Sequence, residues 1–263
     1  MKVAIVIVNY NNASDTLACI ESLEKLKAGK DKIITILVDN ASLDDSVKII
    51  SKRFPKIKVI RSPSNKGFAG GNNLGIKLAL RNGACYIFLL NNDTLVKDKR
   101  LIEKLIKPQL DLAAPVVKFR RKGKFFYDFG GKIDFLFGRN YHLESDNKWA
   151  RWPVKPDYIS GVALMIRARV FKRIGFLDEK YFMYYEDVDF CIRAKKAGYK
   201  LGSVDGAAIF HKLSASADKL GTQKLHLLAS SQWRFATHHL SKTSLFFAFF
   251  YHLYLHLKGT LSL

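Results

Sequence analysis

Val3-Ala4-Ile5-Val6-Ile7-Val8, followed at once by Asn9-Tyr10-Asn11, is an unbroken apolar and largely β-branched run that stops on polar residues. A strand with one wet face alternates apolar and polar side chains. A run without alternation belongs to a strand covered on both faces, as in the parallel sheets of α/β proteins. The run is also too short for the body of a secretory signal and lacks its cleavage site, so it reads as structure rather than as a targeting segment. The pattern returns at residues 33–38, ending on Asp39-Asn40, and at 85–90, ending on Asn91-Asn92-Asp93. Between these runs, Leu17, Ile20 and Leu23 recur at helical spacing within 13–27, with Ser14 or Asp15 as the cap. Residues 44–54 and 70–82 read as further helices and 58–61 as a short strand. Strands and helices in alternation predict a Rossmann-like α/β fold, a mostly parallel central sheet flanked by helices.

Beyond Asp93 the rhythm changes. A helix over 99–107 is closed by Pro108, and 113–119 reads as a strand. Residues 120–156 mix basic residues, glycines and aromatics without a period, and are expected to form hairpins and loops that wall a pocket. A strand over 158–167, a short helix over 170–174, a helix over 186–197 stopped by Gly198, and strands over 200–204 and 207–211 follow. From about Thr222 the pattern is helical, a C-terminal extension. Its aromatic stretch over 244–257 is shorter than the roughly 20 residues that span a bilayer. An interfacial helix on an anionic membrane surface and a helix packed on the core or on a second copy of the chain are both open readings.

The 263 residues carry 44 Lys and Arg against 23 Asp and Glu, a net charge of +21. That balance favours polyanionic partners, whether nucleic acid, an anionic membrane or phosphorylated ligands. Arg120-Arg121-Lys122-Gly123-Lys124 is better read as a solvated loop than as a nucleic-acid motif. Cys19, Cys85 and Cys191 are widely spaced within apolar patterns. They are expected to be reduced and buried, which disfavours a disulfide framework or structural zinc.

In open α/β sheets ligands bind beyond the carboxyl ends of the strands. Asn9-Tyr10-Asn11, Asp39-Asn40 and Asn91-Asn92-Asp93 all lie on that edge, so a shared ligand site is favoured over three unrelated turns. Asn65-Lys66-Gly67-Phe68-Ala69-Gly70-Gly71-Asn72-Asn73-Leu74-Gly75 enters a helix through close glycines. Such a turn is expected to turn backbone N–H groups and Lys66 towards an anion. It matches neither GxGxxG nor a P-loop, which disfavours dinucleotide binding. Glu186, Asp187 and Asp189 open a helix amid aromatic residues, surroundings that raise a carboxyl pKa towards that of a useful base. His211 closes an apolar strand and becomes a metal ligand only if Asp93 holds the same ion.

These segments, taken with Val38-Asp39-Asn40-Ala41-Ser42, Leu89-Leu90-Asn91-Asn92-Asp93, Ser160-Gly161, Phe176-Leu177-Asp178-Glu179 and Glu186-Asp187-Val188-Asp189, resemble family 2 glycosyltransferases of the GT-A fold, in particular the rhamnosyltransferase-like branch. The resemblance covers about residues 3–216 in order. It implies a GT-A domain over 1–216, with a nucleotide-binding half to about 95 and an acceptor half over 96–216, and a helical extension over 217–263.

The resemblance further implies an inverting transfer from a nucleotide-diphosphate sugar, dTDP-rhamnose ahead of a UDP-hexose, to a saccharide or lipid-linked acceptor. The product would be a cell-surface polysaccharide or glycolipid, made in the cytoplasm or on the inner face of the cell membrane. Asn9, Tyr10 and Asp39 would line the base and ribose pocket. Gly67 and Asn72 would lie in a loop facing the nucleotide, where many relatives have Arg in place of Asn72. Asn91 and Asn92 would face the donor, and Asp93 would coordinate Mg²⁺ or Mn²⁺ on its diphosphate. His211 would be a further metal ligand. Asn91 stands where the family motif has its first carboxylate. Asp187 matches the catalytic base, with Glu186, Ser160 and Gly161 facing the sugars. A nucleotidyltransferase, or a non-catalytic nucleic-acid or membrane-binding module, remain the alternative readings.

Overall fold

The computed structural model describes residues 1–27, 31–147, 155–213 and 222–261. Strands β1 (Lys2–Asn9), β2 (Lys32–Asp39), β3 (Lys58–Arg61) and β4 (Tyr86–Leu90) are parallel neighbours in the order β3-β2-β1-β4. Helices α1 (Ala13–Leu23), α2 (Ser46–Arg53) and α3 (Gly67–Arg81) connect them. Beyond β4 the sheet continues through β9 (Ala163–Arg167), β6 (Leu112–Arg121) and β10 (Leu201–His211), to the two-residue β5 (Thr94–Leu95). Of these, β9 runs antiparallel to both neighbours, so β6 and β10 again point the same way as β1. The α/β class and the mostly parallel central sheet are as the sequence predicts.

The unbroken apolar runs are explained by two cores, one on each face. Val3, Ile5 and Ile7 pack with Cys19, Ile20 and Ile50 beneath α1 and α2. Ala4 and Val6 pack with Ala69 and Ile76 of α3 and with Val188 and Phe190 of α6 (Glu186–Lys196). Alternate residues of one strand thus feed opposite layers, and no position is left for a polar side chain.

The approach of α3 to the sheet depends on glycine. A Cβ on Gly75 would stand 2.3 Å from Cγ1 of the buried Val6 and 3.2 Å from Cγ2 of Val38. Gly75→Val is expected to cost about 3 kcal/mol, the upper end of ordinary overpacking. A urea midpoint lowered at unchanged slope is the readout; an unchanged midpoint would mean that α3 moves away freely.

Several local expectations are corrected. The cap of α1 is Asn12, whose side chain accepts from the Asp15 amide, rather than Ser14 or Asp15. The two expected strands form one, β10 (Leu201–His211), with a register shift between Val204 and Ala208 beside Gly206, which adopts φ +73°. The left-handed glycine produced the apparent break between two strands. Regular pairing of the 158–167 segment begins only at Ala163, with a single earlier bridge from Tyr158 to Gly131. Cys19 and Cys191 are buried, but Cys85 is exposed. The segment over 120–156 does form hairpins as expected: it holds the end of β6 and the whole of β7 (Lys124–Asp134) and β8 (Arg139–Ser145), paired as an antiparallel ladder, with 148–154 outside the described residues.

Helices α4 (Leu101–Ile106) and α5 (Ala168–Ile174) cover the second half of the sheet. The C-terminal part forms α7 (Thr222–His239) and α8 (Lys242–Leu261), which pack on each other. Among the described residues no helix is long and apolar enough to cross a membrane.

Candidate active site

The three polar strand ends do converge. Register places Asn9 directly beside Asp39, and both are buried. Asn9 Nδ2 donates to Ser42 Oγ at 3.0 Å and to Asp39 Oδ1 at 3.3 Å, and its Oδ1 accepts from Thr16 Oγ1 at 2.7 Å. Thr16 Oγ1 in turn accepts from Asn92 Nδ2 at 2.9 Å, so β1, β2 and the end of β4 share one network. Thr16 escaped the sequence reading because a threonine in the first turn of a helix is indistinguishable from a routine helix-start residue. Tyr10 projects from this edge. With Asn65, Phe182 and residues Gln223, His226, Leu227 and Ser230 of α7, it lines a cavity of about 560 Å³.

The glycine-rich segment is placed differently from expectation. Gly67 and Asn72 lie within α3, not in a loop, and Asn72 is buried with its Nδ2 on the Phe68 carbonyl at 3.0 Å. The helix-start amides are already satisfied. Lys66 N donates to Asn40 Oδ1 at 3.0 Å, Gly67 N to Asn65 Oδ1 at 2.9 Å and Phe68 N to the Phe182 carbonyl at 2.8 Å. These groups therefore do not form an anion cradle. Gly67 is required instead by its φ of +67° and by close approach to Phe182, whose carbonyl oxygen would lie 2.0 Å from an added Cβ.

Asp93 and His211 meet because β5 pairs His211 with Thr94 at the far side of β10. His211 Nε2 stands 3.1 Å from Asp93 Oδ2 and 3.0 Å from Oδ1, in a largely buried position. Lys212 braces the same turn: its amide donates to the Asp93 carbonyl at 3.0 Å and its Nζ to Asp15 Oδ1 at 2.6 Å. Among the described residues no group of three or more His, Cys, Asp or Glu could hold a metal ion. Asp93 and His211 offer one oxygen and one nitrogen. That set can anchor a divalent ion whose remaining ligands come from phosphate oxygens and water, a common way for such ions to bind phosphorylated substrates.

The second cluster adjoins the first. Asn91 N donates to the Val162 carbonyl at 2.9 Å, which ties the end of β4 to the turn carrying Ser160 and Gly161. Ser160 Oγ accepts from Val162 N at 3.3 Å, closing that turn. Gly161 N donates to Asp187 Oδ2 at 2.7 Å, and Val188 N donates to Asp187 Oδ1 at 2.8 Å. Tyr184 and Tyr185, just ahead of α6, adopt φ of +73° and +68°, a left-handed conformation that aromatic residues adopt at a cost of order 1–3 kcal/mol each. Tyr185 OH donates to the Gly138 carbonyl at 3.1 Å, one of the bonds that hold the turn.

Burial raises the Asp187 carboxyl above the ordinary carboxylate range, against the opposing pull of the Gly161 amide and the charge of His142. Burial raises Glu186 well above its usual value, and the neighbouring Asp187 charge adds to the shift. Glu186 Oε2 has no hydrogen-bond partner, whereas Asp187 accepts two amides. Asp187 is therefore the member of the pair suited to carry the charge.

His142 on β8 belongs to this cluster and was not foreseen. Burial opposes its charge, but the hydrogen bond that its Nδ1 donates to Asp128 Oδ2 at 2.8 Å and the charge of that carboxylate outweigh burial and raise it to about 9. It lay in the aperiodic stretch, where a single histidine carries no signal.

The family model described as glycosyl transferase family 2 matches residues 4–175. The low-salt glycan biosynthesis hexosyltransferase Agl10 of Haloferax volcanii is 28% identical over 222 residues, covering 79% of this chain and 66% of its own length. The dTDP-rhamnosyl transferase RfbF of Shigella flexneri is 24% identical over 221 residues, covering 82% and 70%. The chain thus spans about two thirds of the length of these curated relatives. Among solved structures, the mannosyltransferase PcManGT of Pyrobaculum calidifontis, in complex with GDP-Man and Mn²⁺, superposes with a TM-score of 0.62 at 13% identity, over 99% of this chain and 71% of that one.

Proposed function

The chain belongs to glycosyl transferase family 2, and from that premise we propose that it transfers a hexose from a nucleotide-diphosphate sugar to an acceptor hydroxyl with inversion at the anomeric carbon. The observation that carries the mechanism is the Asp187 carboxylate, fixed by the Gly161 and Val188 amides beside the Asn91-Asn92-Asp93 turn. A hydroxyl is a weak nucleophile, and a carboxylate of raised pKa takes its proton as attack proceeds. One base serves a single displacement and no covalent intermediate is required.

Residues 1–95 act as the donor half. Asn9, Asp39 and Tyr10 hold base and ribose, while Asn91 and Asn92 face the diphosphate. Residues 96–216 act as the acceptor half, with Ser160, Gly161 and Glu186 lining the sugars around Asp187. Asp93 and His211 would hold a divalent cation, Mn²⁺ or Mg²⁺, which neutralises charge on the leaving diphosphate. A mixed oxygen and nitrogen set suits Mn²⁺ better than the oxygen-preferring Mg²⁺. The names of the relatives support dTDP-rhamnose as the first donor to test, with UDP-hexoses next, and products in cell-envelope or surface glycan synthesis.

A thermal-shift panel of nucleotide sugars tests the donor reading, with and without Mn²⁺. A donor at 100 times its Kd stabilises the fold by roughly 2.7 kcal/mol, which raises Tm by several degrees. Stabilisation by one nucleotide sugar, larger with Mn²⁺, is expected. A flat panel would remove the donor assignment, and release of pyrophosphate from a nucleoside triphosphate would replace it with nucleotidyl transfer.

A further inference from the structure

The exposed face of α8 has no counterpart in the chemistry above. Ala248 and Leu255 are buried, and His252 Nδ1 sits 3.1 Å from the Ala229 carbonyl of α7, so one side of α8 is spent on the protein. On another side Phe246, Phe250, Leu253, Tyr254 and Leu257 recur at i, i+4, i+7, i+8 and i+11, one helical stripe. They remain 63%, 53%, 43%, 54% and 54% exposed, unusual for such large apolar groups next to one another. The β7–β8 turn extends the patch, since Phe135 and Leu136 are exposed and the Phe137 ring lies 6.1 Å from that of Phe247.

Charge decides what covers this face. Residues 222–263 contain no Asp or Glu, against Lys224, Arg234, Lys242 and Lys258. A second copy would press another chain of net charge +21 against the first, and neither would bring acidic residues from these helices. An anionic bilayer offers both an apolar layer for the aromatic stripe and opposite charge for the basic flanks. No described helix can cross the membrane, so the contact lies in the interface.

We propose that the α8 stripe and the β7–β8 turn form a docking surface for anionic lipid bilayers. The surface reaches the candidate base through few steps. Gln232 Nε2 of α7 donates to the Phe137 carbonyl at 2.9 Å, and Tyr185, next to Glu186 and Asp187, bonds the Gly138 carbonyl of the same turn. Docking would therefore hold the Asp187 cluster close to the bilayer, where a lipid-linked acceptor presents its sugar. This consequence rests on the assignment of Asp187, whereas the docking itself does not.

Co-sedimentation of the full chain with vesicles tests docking without any turnover. One vesicle set is phosphatidylcholine alone and the other contains phosphatidylglycerol. The chain is expected to sediment with the anionic vesicles and to be released as salt rises. The exposed double substitution F250S/L253S should weaken binding by about tenfold or more, given the apolar area lost, at an unchanged thermal midpoint. Lys242→Glu, which leaves the apolar stripe intact, should weaken binding to anionic vesicles only. Equal sedimentation with both vesicle types, or binding indifferent to the double substitution, overturns the proposal. So does a dimer in solution that F250S/L253S dissolves while vesicle binding is absent.

Discussion

Asp187→Asn is expected to leave a folded, donor-binding protein whose kcat is lower by about 10²–10⁴-fold, the range ascribed to a positioned general base. The substitution keeps the shape of the side chain and an oxygen that can accept from the Gly161 or Val188 amide. It removes the carboxylate proposed to take the acceptor's proton. The proposed donor contacts lie on other elements, so donor affinity in the thermal-shift assay should change little. Glu186→Gln is the contrast. Glu186 is buried, and burial raises its carboxyl well above the usual value, so the neutral amide should reduce turnover far less. Unimpaired kcat in Asp187→Asn, with matched donor and acceptor, would end the assignment.

The same residue predicts a pH profile. As the proposed base, Asp187 would act only when ionised, and burial holds its pKa above the ordinary carboxylate value. Turnover should therefore fall as pH drops through that raised value, at a higher pH than an exposed aspartate would give. His142, raised to about 9 by its contact with Asp128, stays positive through neutrality and favours the charged form of Asp187. As pH rises through about 9 that support is lost.

How much of this was legible before folding follows from the range of the interactions. Burial on both faces of β1, β2 and β4 leaves a local trace, because every position of a doubly covered strand must be apolar. The polar residues that follow those strands are equally local, and Asn9, Asp39 and Asn91-Asn92-Asp93 were found from them. The antiparallel β9 left no such trace. It is as apolar as the mutually parallel strands of the sheet, and its direction is set by where the chain re-enters the sheet. Glycines were misread for a related reason. Close approach to Val6 or Phe182 demands glycine as firmly as a phosphate cradle does, and a single chain does not distinguish them. His142, Asp128 and Thr16 were missed because their partners lie across the sheet or in another element. The Asp93–His211 contact depends on a two-residue strand, β5, far below the length at which periodicity exists.

Asp93→Ala is expected to abolish the Mn²⁺-dependent part of donor stabilisation and to lower turnover by roughly 10²–10³-fold. Loss of Lewis-acid help to a leaving diphosphate is worth several kcal/mol, and each 1.36 kcal/mol is about tenfold in rate. The effect should be large because the described residues hold little in reserve. Asp93 supplies the only carboxylate of the Asn91-Asn92-Asp93 turn, His211 Nε2 stands 3.0 Å from its Oδ1, and among the described residues no group of three or more His, Cys, Asp or Glu could hold the ion. His211→Ala should cost less, since it removes one ligand and leaves the charge. Asn91→Asp provides the opposite test. It adds a carboxylate on the same turn, beside the 160–162 segment that Asn91 N already bonds, and should lower the Mn²⁺ concentration needed for half-maximal donor stabilisation. Donor binding in Asp93→Ala that responds to Mn²⁺ as strongly as in the native chain would place the ion elsewhere. If Asn91→Asp alone left the Mn²⁺ requirement unmoved, Asp93 would still hold the ion, with the Asn91 side chain directed away from it.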